Sequence, residues 1–187
     1  MNNKTNHTAL LVMDMQHGII ADLPGKEGFL KLVSQAILKA RKNDIPIIFV
    51  RVGFREKAPE ISANNKLFSK AKERFTTISP KIFMQVDEML APREEDILVS
   101  KRRISAFTGS DLEVILRAKE IKHLVLAGVS TSGVVLSTLR EAADKDYELT
   151  VLEDCCFDKD QEVHRVLVEK VFPSQASITK TDDWIIG

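Results

Sequence analysis

The 187-residue chain carries 27 basic and 27 acidic residues, so its formal charge cancels, and 44% of its residues are apolar. That content suffices for one domain with a sizeable core, and we expect a single domain over residues 1–187. The balanced charge gives no field that would draw the molecule to nucleic acid or an anionic membrane, which leaves a small-molecule substrate as the expected partner.

From the N-terminus, Met1 to His7 is polar and lacks the apolar core of a signal peptide. No later stretch is apolar for the length of a bilayer, and the expected location is the cytoplasm. Apolar runs of strand length follow at 9–13, 45–50, 97–99, 123–127, 149–153 and 177–179. Helical spacing lies between most of them: Leu30, Val33, Ile37 and Leu38; Leu112, Ile115 and Leu116; Val135, Leu139 and Ala142; then Val163, Val166, Leu167 and Val171.

Strands alternating with helices predict an α/β, Rossmann-like three-layer sandwich around a mostly parallel six-stranded sheet. Punctuation agrees. Asn43-Asp44-Ile45-Pro46 closes the first long helix, Ser110 stands as an N-cap before Asp111 and Glu113, and Phe172-Pro173 ends the last helix. Residues 53–80 interrupt the alternation with a polar, basic stretch containing Lys66, Lys70, Lys72 and Arg74, which reads as a solvated face. A connection this long in a compact domain is often functional or an oligomer contact.

The two cysteines, Cys155 and Cys156, are adjacent and give no C-x-x-C spacing, so they read as small core thiols. His7, His17, His123 and His164 are scattered, and neither a metal nor a cofactor is expected.

Three segments share a strand-then-polar pattern. Ala9 to Met13 ends at Asp14-Met15-Gln16, Asp96 to Val99 ends at Ser100-Lys101-Arg102-Arg103, and Val125-Leu126-Ala127 ends at Gly128-Val129-Ser130-Thr131-Ser132-Gly133-Val134. In open parallel sheets ligands bind beyond the carboxyl ends of the strands, where an acid, a base and a turn offering backbone N–H groups would meet. Arg102 and Arg103 read as surface residues. The turn fits neither a phosphate-binding loop, because Val134 follows Gly133, nor a dinucleotide fingerprint, because position 130 is Ser. It comes near the G-x-S-x-G elbow, missing only the last glycine, and Ser130, Asp154 and His164 follow the chain order of a serine hydrolase.

These residues resemble the isochorismatase-like, or cysteine hydrolase, family over roughly residues 8 to 182. The matching elements are D-x-Q at Asp14 and Gln16, Lys101 followed by Ser105 and Phe107, and the G-x-x-T-x-x-C motif at Gly128 and Thr131. The last motif ends in Val134 where most members carry the nucleophilic cysteine, and valine has nothing with which to attack a carbonyl.

The resemblance implies that Asp14 and Lys101 are catalytic and face each other. It implies a substrate pocket built from Gln16, Phe107, Gly128, Val129, Ser130, Thr131 and Gly133, with a cis peptide bond at Val129-Ser130. It also implies a homodimer or homotetramer. The nicotinamidase branch carries Asp-x-His after its second strand, where this chain has Phe49-Val50-Arg51-Val52-Gly53. The implied activity is hydrolysis of a small metabolite without a cysteine nucleophile, such as vinyl-ether hydrolysis by Asp14 as acid and Lys101 as electrostatic partner. Two alternatives stay open at this point: a catalytically silent ligand-binding or assembly protein, and a serine hydrolase through Ser130.

Overall fold

The computed structural model describes residues 7–185. Residues 1–6, part of the polar N-terminal stretch, lie outside that range. Six strands, β1 (Thr8–Met13), β2 (Ile47–Val52), β3 (Ile97–Lys101), β4 (His123–Val129), β5 (Glu148–Phe157) and β6 (Ser177–Thr179), form one sheet in the order β3-β2-β1-β4-β5-β6. All five pairings are parallel. The chain lays down β1 to β3 outward on one side, then returns beside β1 with β4 and continues on the other. The β1/β4 junction is therefore the point where the strand order reverses, and ligands of such sheets bind beyond the carboxyl ends there.

Every residue of β1 is buried, as expected for a central strand covered on both faces. On one face Leu11, Met13, Ile48, Val50 and Leu126 pack with Leu112 and Leu116 of α5 (Leu112–Ala118) and Leu139 of α6 (Leu136–Asp144). On the other face Leu10, Val12, Phe49 and Val125 pack with Leu30, Val33 and Ile37 of α2 (Lys26–Lys42). The long helices thus bury the stripes their spacing predicts, with one exception: Leu38 lies off the stripe and is 53% exposed.

The first long helix ends at Lys42 with Asn43 at its C-cap, as the punctuation predicts. α5 starts at Leu112 with Asp111, rather than the expected Ser110, at its N-cap; Ser110 Oγ, one residue earlier, still accepts the Leu112 N–H at 3.2 Å. The predicted last helix is divided. α7 (Gln161–Val166) passes into a π-helical turn over Leu167–Val171, which rotates burial onto Val168 and Phe172 and leaves Val163 and Val166 partly exposed.

The 53–80 connection is folded. It contains α3 (Lys66–Thr77), capped by Asn65 Oδ1 accepting from Phe68 N at 3.0 Å, and the single turn α4 (Pro80–Phe83) capped by Ser79; a short α1 (His17–Ile20) precedes them in the chain. α3 is amphipathic. Its lysines face solvent as predicted, while Phe68 and Phe75 join Phe54 and Phe83 in a separate aromatic cluster whose ring centroids lie 4.7 to 5.9 Å apart. This cluster fixes α3 over the carboxyl edge of the sheet.

Candidate active site

Strand register brings the site together. Met13 at the end of β1 opposes Val50 of β2 and Gly128 of β4, and Val52 opposes Lys101 of β3. The next residue in each case, or the strand's last, therefore reaches the same edge. Asp14 turns off β1 with φ 58°, a left-handed conformation that Asp tolerates better than most residues, while its N–H bonds Val50 O at 2.8 Å.

That turn aims the carboxylate at Lys101. Lys101 Nζ lies 2.9 Å from Asp14 Oδ2 and donates to Arg103 O at 3.0 Å and Ile104 O at 2.9 Å. An ammonium has three N–H groups, so Lys101 is fully hydrogen-bonded although only 1% exposed. Asp14 is not: its Oδ1 is buried without a hydrogen-bond partner. Burial pushes the Asp14 carboxyl above its ordinary value, outweighing the opposing pull of the Lys101 charge and hydrogen bond.

Both groups line a cavity of about 390 Å³ at the β1/β4 junction, together with Val129, Ser130, Gly133 and Val134. A larger hollow, of about 540 Å³, opens at the amino ends of the strands, where its Arg41 is paired with Asp96 and its Arg93 with Glu95. The carboxyl-end cavity is lined by Asp14, whose Oδ1 has no partner, and sits where this topology binds ligands.

The turn after β4 is a π-helical turn over Thr131–Val135, entered through a cis Val129-Ser130 peptide bond at the position the resemblance implies. Fewer of its N–H groups face a ligand than the strand-to-helix pattern suggests. Ser132 N donates to Asp158 Oδ2 at 2.8 Å, and Gly133 N and Val135 N both reach Ser130 O at 3.2 Å. A Cβ at Gly133 would lie 2.7 Å from Ser130 Oγ, so a larger residue there would make the Ser130 side chain rotate. Val134 is 2% exposed and belongs both to the cavity wall and to the core beneath it.

Four residues expected in the substrate pocket do not line the cavity. Gln16 is wholly buried and joins backbone: its Oε1 accepts from Val52 N at 2.8 Å, and its Nε2 donates to Val52 O at 2.8 Å and Phe83 O at 3.1 Å. Phe107 packs in the core and against Tyr147. Gly128 sits in the sheet, where a Cβ would meet Val135 and Met13 at 3.1 to 3.2 Å. Thr131 is buried beneath the turn, its Oγ1 2.8 Å from His164 Nδ1.

The remaining candidates resolve similarly. Arg102 and Arg103 tie the 53–60 loop down, Arg102 Nη1 donating to Gly53 O and Arg103 Nη2 to Glu60 O. A Ser130–His164–Asp154 triad is not assembled, because the Asp154 carboxylate accepts from Thr181 N and Oγ1 while His164 bonds Thr131. Cys155 and Cys156 are both buried; burial pushes the Cys155 thiol up to about 12 and raises that of Cys156 as well. Among the described residues no three His, Cys, Asp or Glu side chains are placed to hold a metal ion, and no helix is long and apolar enough to cross a membrane.

Several cavity residues lay outside the motifs. Leu67, Phe68, Ala71, Arg74 and Phe75 of α3 line it, and Phe157, Asp158 and Lys159 enter from the end of β5. The latter arrive through a register shift between Leu126 and Gly128 that sets Val129 opposite Phe157.

Comparison with known proteins agrees with this architecture. The isochorismatase domain family matches residues 8–183. The isochorismatase family protein YecD of Escherichia coli O157:H7 is 32% identical over 187 residues, covering 98% of this chain and 96% of its own. The ureidoacrylate amidohydrolase RutB of Stutzerimonas stutzeri is 32% identical over 174 residues, covering 81% of this chain and 70% of its own. Among solved structures, a cysteine hydrolase from Pseudomonas syringae superposes with a TM-score of 0.85 at 21% identity, covering 98% of this chain and 92% of its own, a likeness of fold. With the acid, the lysine and the post-β4 turn meeting at one strand edge, the chain belongs to the isochorismatase family of hydrolases.

Proposed function

We propose that the protein hydrolyses a small metabolite by proton transfer from Asp14, without a covalent nucleophile, and that a vinyl ether is the substrate type best suited to it. The observation that carries this reading is the bare, buried Oδ1 of Asp14, a side chain that lines the cavity together with Val134, the residue the resemblance sets at the nucleophile position. Its raised pKa keeps a proton available at higher pH than an ordinary carboxyl would.

Protonation of the terminal vinyl carbon by Asp14 leaves an oxocarbenium ion at the ether carbon. Water adds there, a proton returns to the Asp14 carboxylate, and the hemiketal collapses to a carbonyl compound and an alcohol. Lys101 stabilises the carboxylate formed in the first step through its charge and the Oδ2 hydrogen bond, which leaves Oδ1 unengaged. No metal or cofactor is required by these steps.

The relatives named ureidoacrylate amidohydrolases point to amide hydrolysis as the neighbouring chemistry. Amide cleavage requires attack at the carbonyl carbon rather than protonation of an enol-ether carbon, and Val134 cannot form an acyl intermediate. The experiment is to offer isochorismate as a vinyl ether and ureidoacrylate as an amide to the wild-type protein and to Asp14→Asn. Consumption of the vinyl ether, lost in Asp14→Asn, supports the proposal. Turnover of the amide alone, or of neither, contradicts it, the latter in favour of a silent ligand-binding protein.

A further inference from the structure

We propose that Arg74, assisted by Lys159, forms a carboxylate-binding subsite at the mouth of the Asp14 cavity, so that the substrate is a small organic anion with an apolar body. The inference rests on the reading that this cavity is where substrate binds.

The cavity wall is mainly apolar, yet its three cations, Arg74, Lys101 and Lys159, outnumber its two acids, Asp14 and Asp158. The excess grows to two when Asp14 holds its proton. Lys101 has no N–H to offer, since all three are engaged within the protein. Asp158 directs its oxygens at backbone, accepting from Ser132 N at 2.8 Å and Asp160 N at 3.4 Å.

Arg74 is placed differently. It lies on the α3 face that also carries Leu67 and Ala71 toward the cavity, a spacing of one helical face. Its guanidinium makes one hydrogen bond, Nη2 to Ile19 O at 3.3 Å, and neither it nor Lys159 pairs with an acid among the described residues. Phe68 and Phe75, packed in the aromatic cluster, hold the helix and hence this fork of donors at the rim. A guanidinium fork matches the two oxygens of a carboxylate, and an apolar wall suits the hydrocarbon attached to it.

The test uses benzoate and its neutral counterpart benzamide as probes, with affinities measured by titration calorimetry at low salt. Wild-type protein should prefer benzoate by roughly fivefold, the range open to a charge pair near solvent. Arg74→Gln, which keeps a donor for Ile19 O but removes the charge, should bring the two affinities to within about twofold of each other. Lys159→Gln should lessen the preference without abolishing it, and about 0.5 M salt should suppress it in the wild type.

Equal affinities in the wild type, no binding of benzoate, or a preference that survives Arg74→Gln overturns the proposal. Neither probe is a vinyl ether, so the result does not depend on whether Asp14 transfers a proton. A benzoate preference carried by Arg74 in a protein without turnover would refute the proposed chemistry and leave the subsite standing.

Discussion

Lys101 and Asp14 are matched unequally: the ammonium is hydrogen-bonded through all three of its N–H groups, while the carboxylate it touches at 2.9 Å keeps one oxygen, Oδ1, buried and bare. The lysine is thereby a fixed element, and under the proposed chemistry the aspartate is the reactive one.

Removing the fixed element has a structural cost. Lys101→Met leaves a buried carboxyl without its counter-charge and two backbone carbonyls, of Arg103 and Ile104, without their donor. Urea unfolding should show a loss of about 3–5 kcal/mol at neutral pH. A loss below about 1 kcal/mol would mean that the pair is not formed as described.

The raised Asp14 pKa also predicts how stability depends on pH. The folded state retains the Asp14 proton above the ordinary value of 3.8, so folding is favoured while the group is protonated and disfavoured once it must ionise in place. The stability of wild type relative to Asp14→Asn should therefore fall as the pH rises from about 4 and level off when Asp14 has ionised in the folded state. A difference that grows with pH would contradict the direction of the shift.

Gln16 tests the distinction between lining a pocket and holding its frame. Gln16→Leu leaves the N–H and C=O of Val52 unpaired in the interior, for a loss of about 2–4 kcal/mol. Probe affinity in the remaining folded protein should change by less than about threefold. Unchanged stability with lost affinity would move Gln16 back into the substrate pocket.

Val134 lies in the cavity wall, and the family resemblance sets the nucleophile position there. Val134→Cys should introduce a thiol that iodoacetamide alkylates with an apparent pKa below the ordinary value of about 8.5, because the Lys101 charge is uncompensated whenever Asp14 is protonated. The native thiols should not compete, since burial holds Cys155 at about 12 and Cys156 in the same raised direction. An alkylation pKa at or above 8.5 would show that the position does not feel the lysine.

The centre of the sheet was legible because its strands are buried on both faces and so appear as uninterrupted apolar runs such as Ala9 to Met13 and Leu124 to Ala127. Asp14 directly ends such a run, whereas Lys101, behind Ser100 and beside Arg102 and Arg103, was singled out only by the family resemblance. α3 was hidden by its own composition: Lys66, Lys70, Lys72 and Arg74 dominate the stretch, although Asn65 before Leu67, Phe68, Ala71 and Phe75 carries both a cap and a helical face. Gln16 and Thr131 stand apart from the cavity wall for a different reason. Their motif positions are next to the site, but their partners, Val52, Phe83 and His164, lie 33 to 67 residues away, and local spacing cannot reveal such pairings. The contribution of Asp158 and Lys159 depends on the register shift in the β4/β5 pairing, which no periodicity encodes.

The most direct test of the account is kcat/KM for a vinyl-ether substrate in wild type and Asp14→Asn, the substitution that keeps the side-chain shape and tolerates the left-handed backbone at this position. Loss of the proton donor should lower kcat/KM by about 10²–10⁴-fold in a folded protein, and wild-type activity should decline as the pH rises through the raised pKa of Asp14 while resisting thiol reagents. Activity in Asp14→Asn within about tenfold of wild type, or a wild-type profile that rises with pH through that range, would contradict proton donation by Asp14.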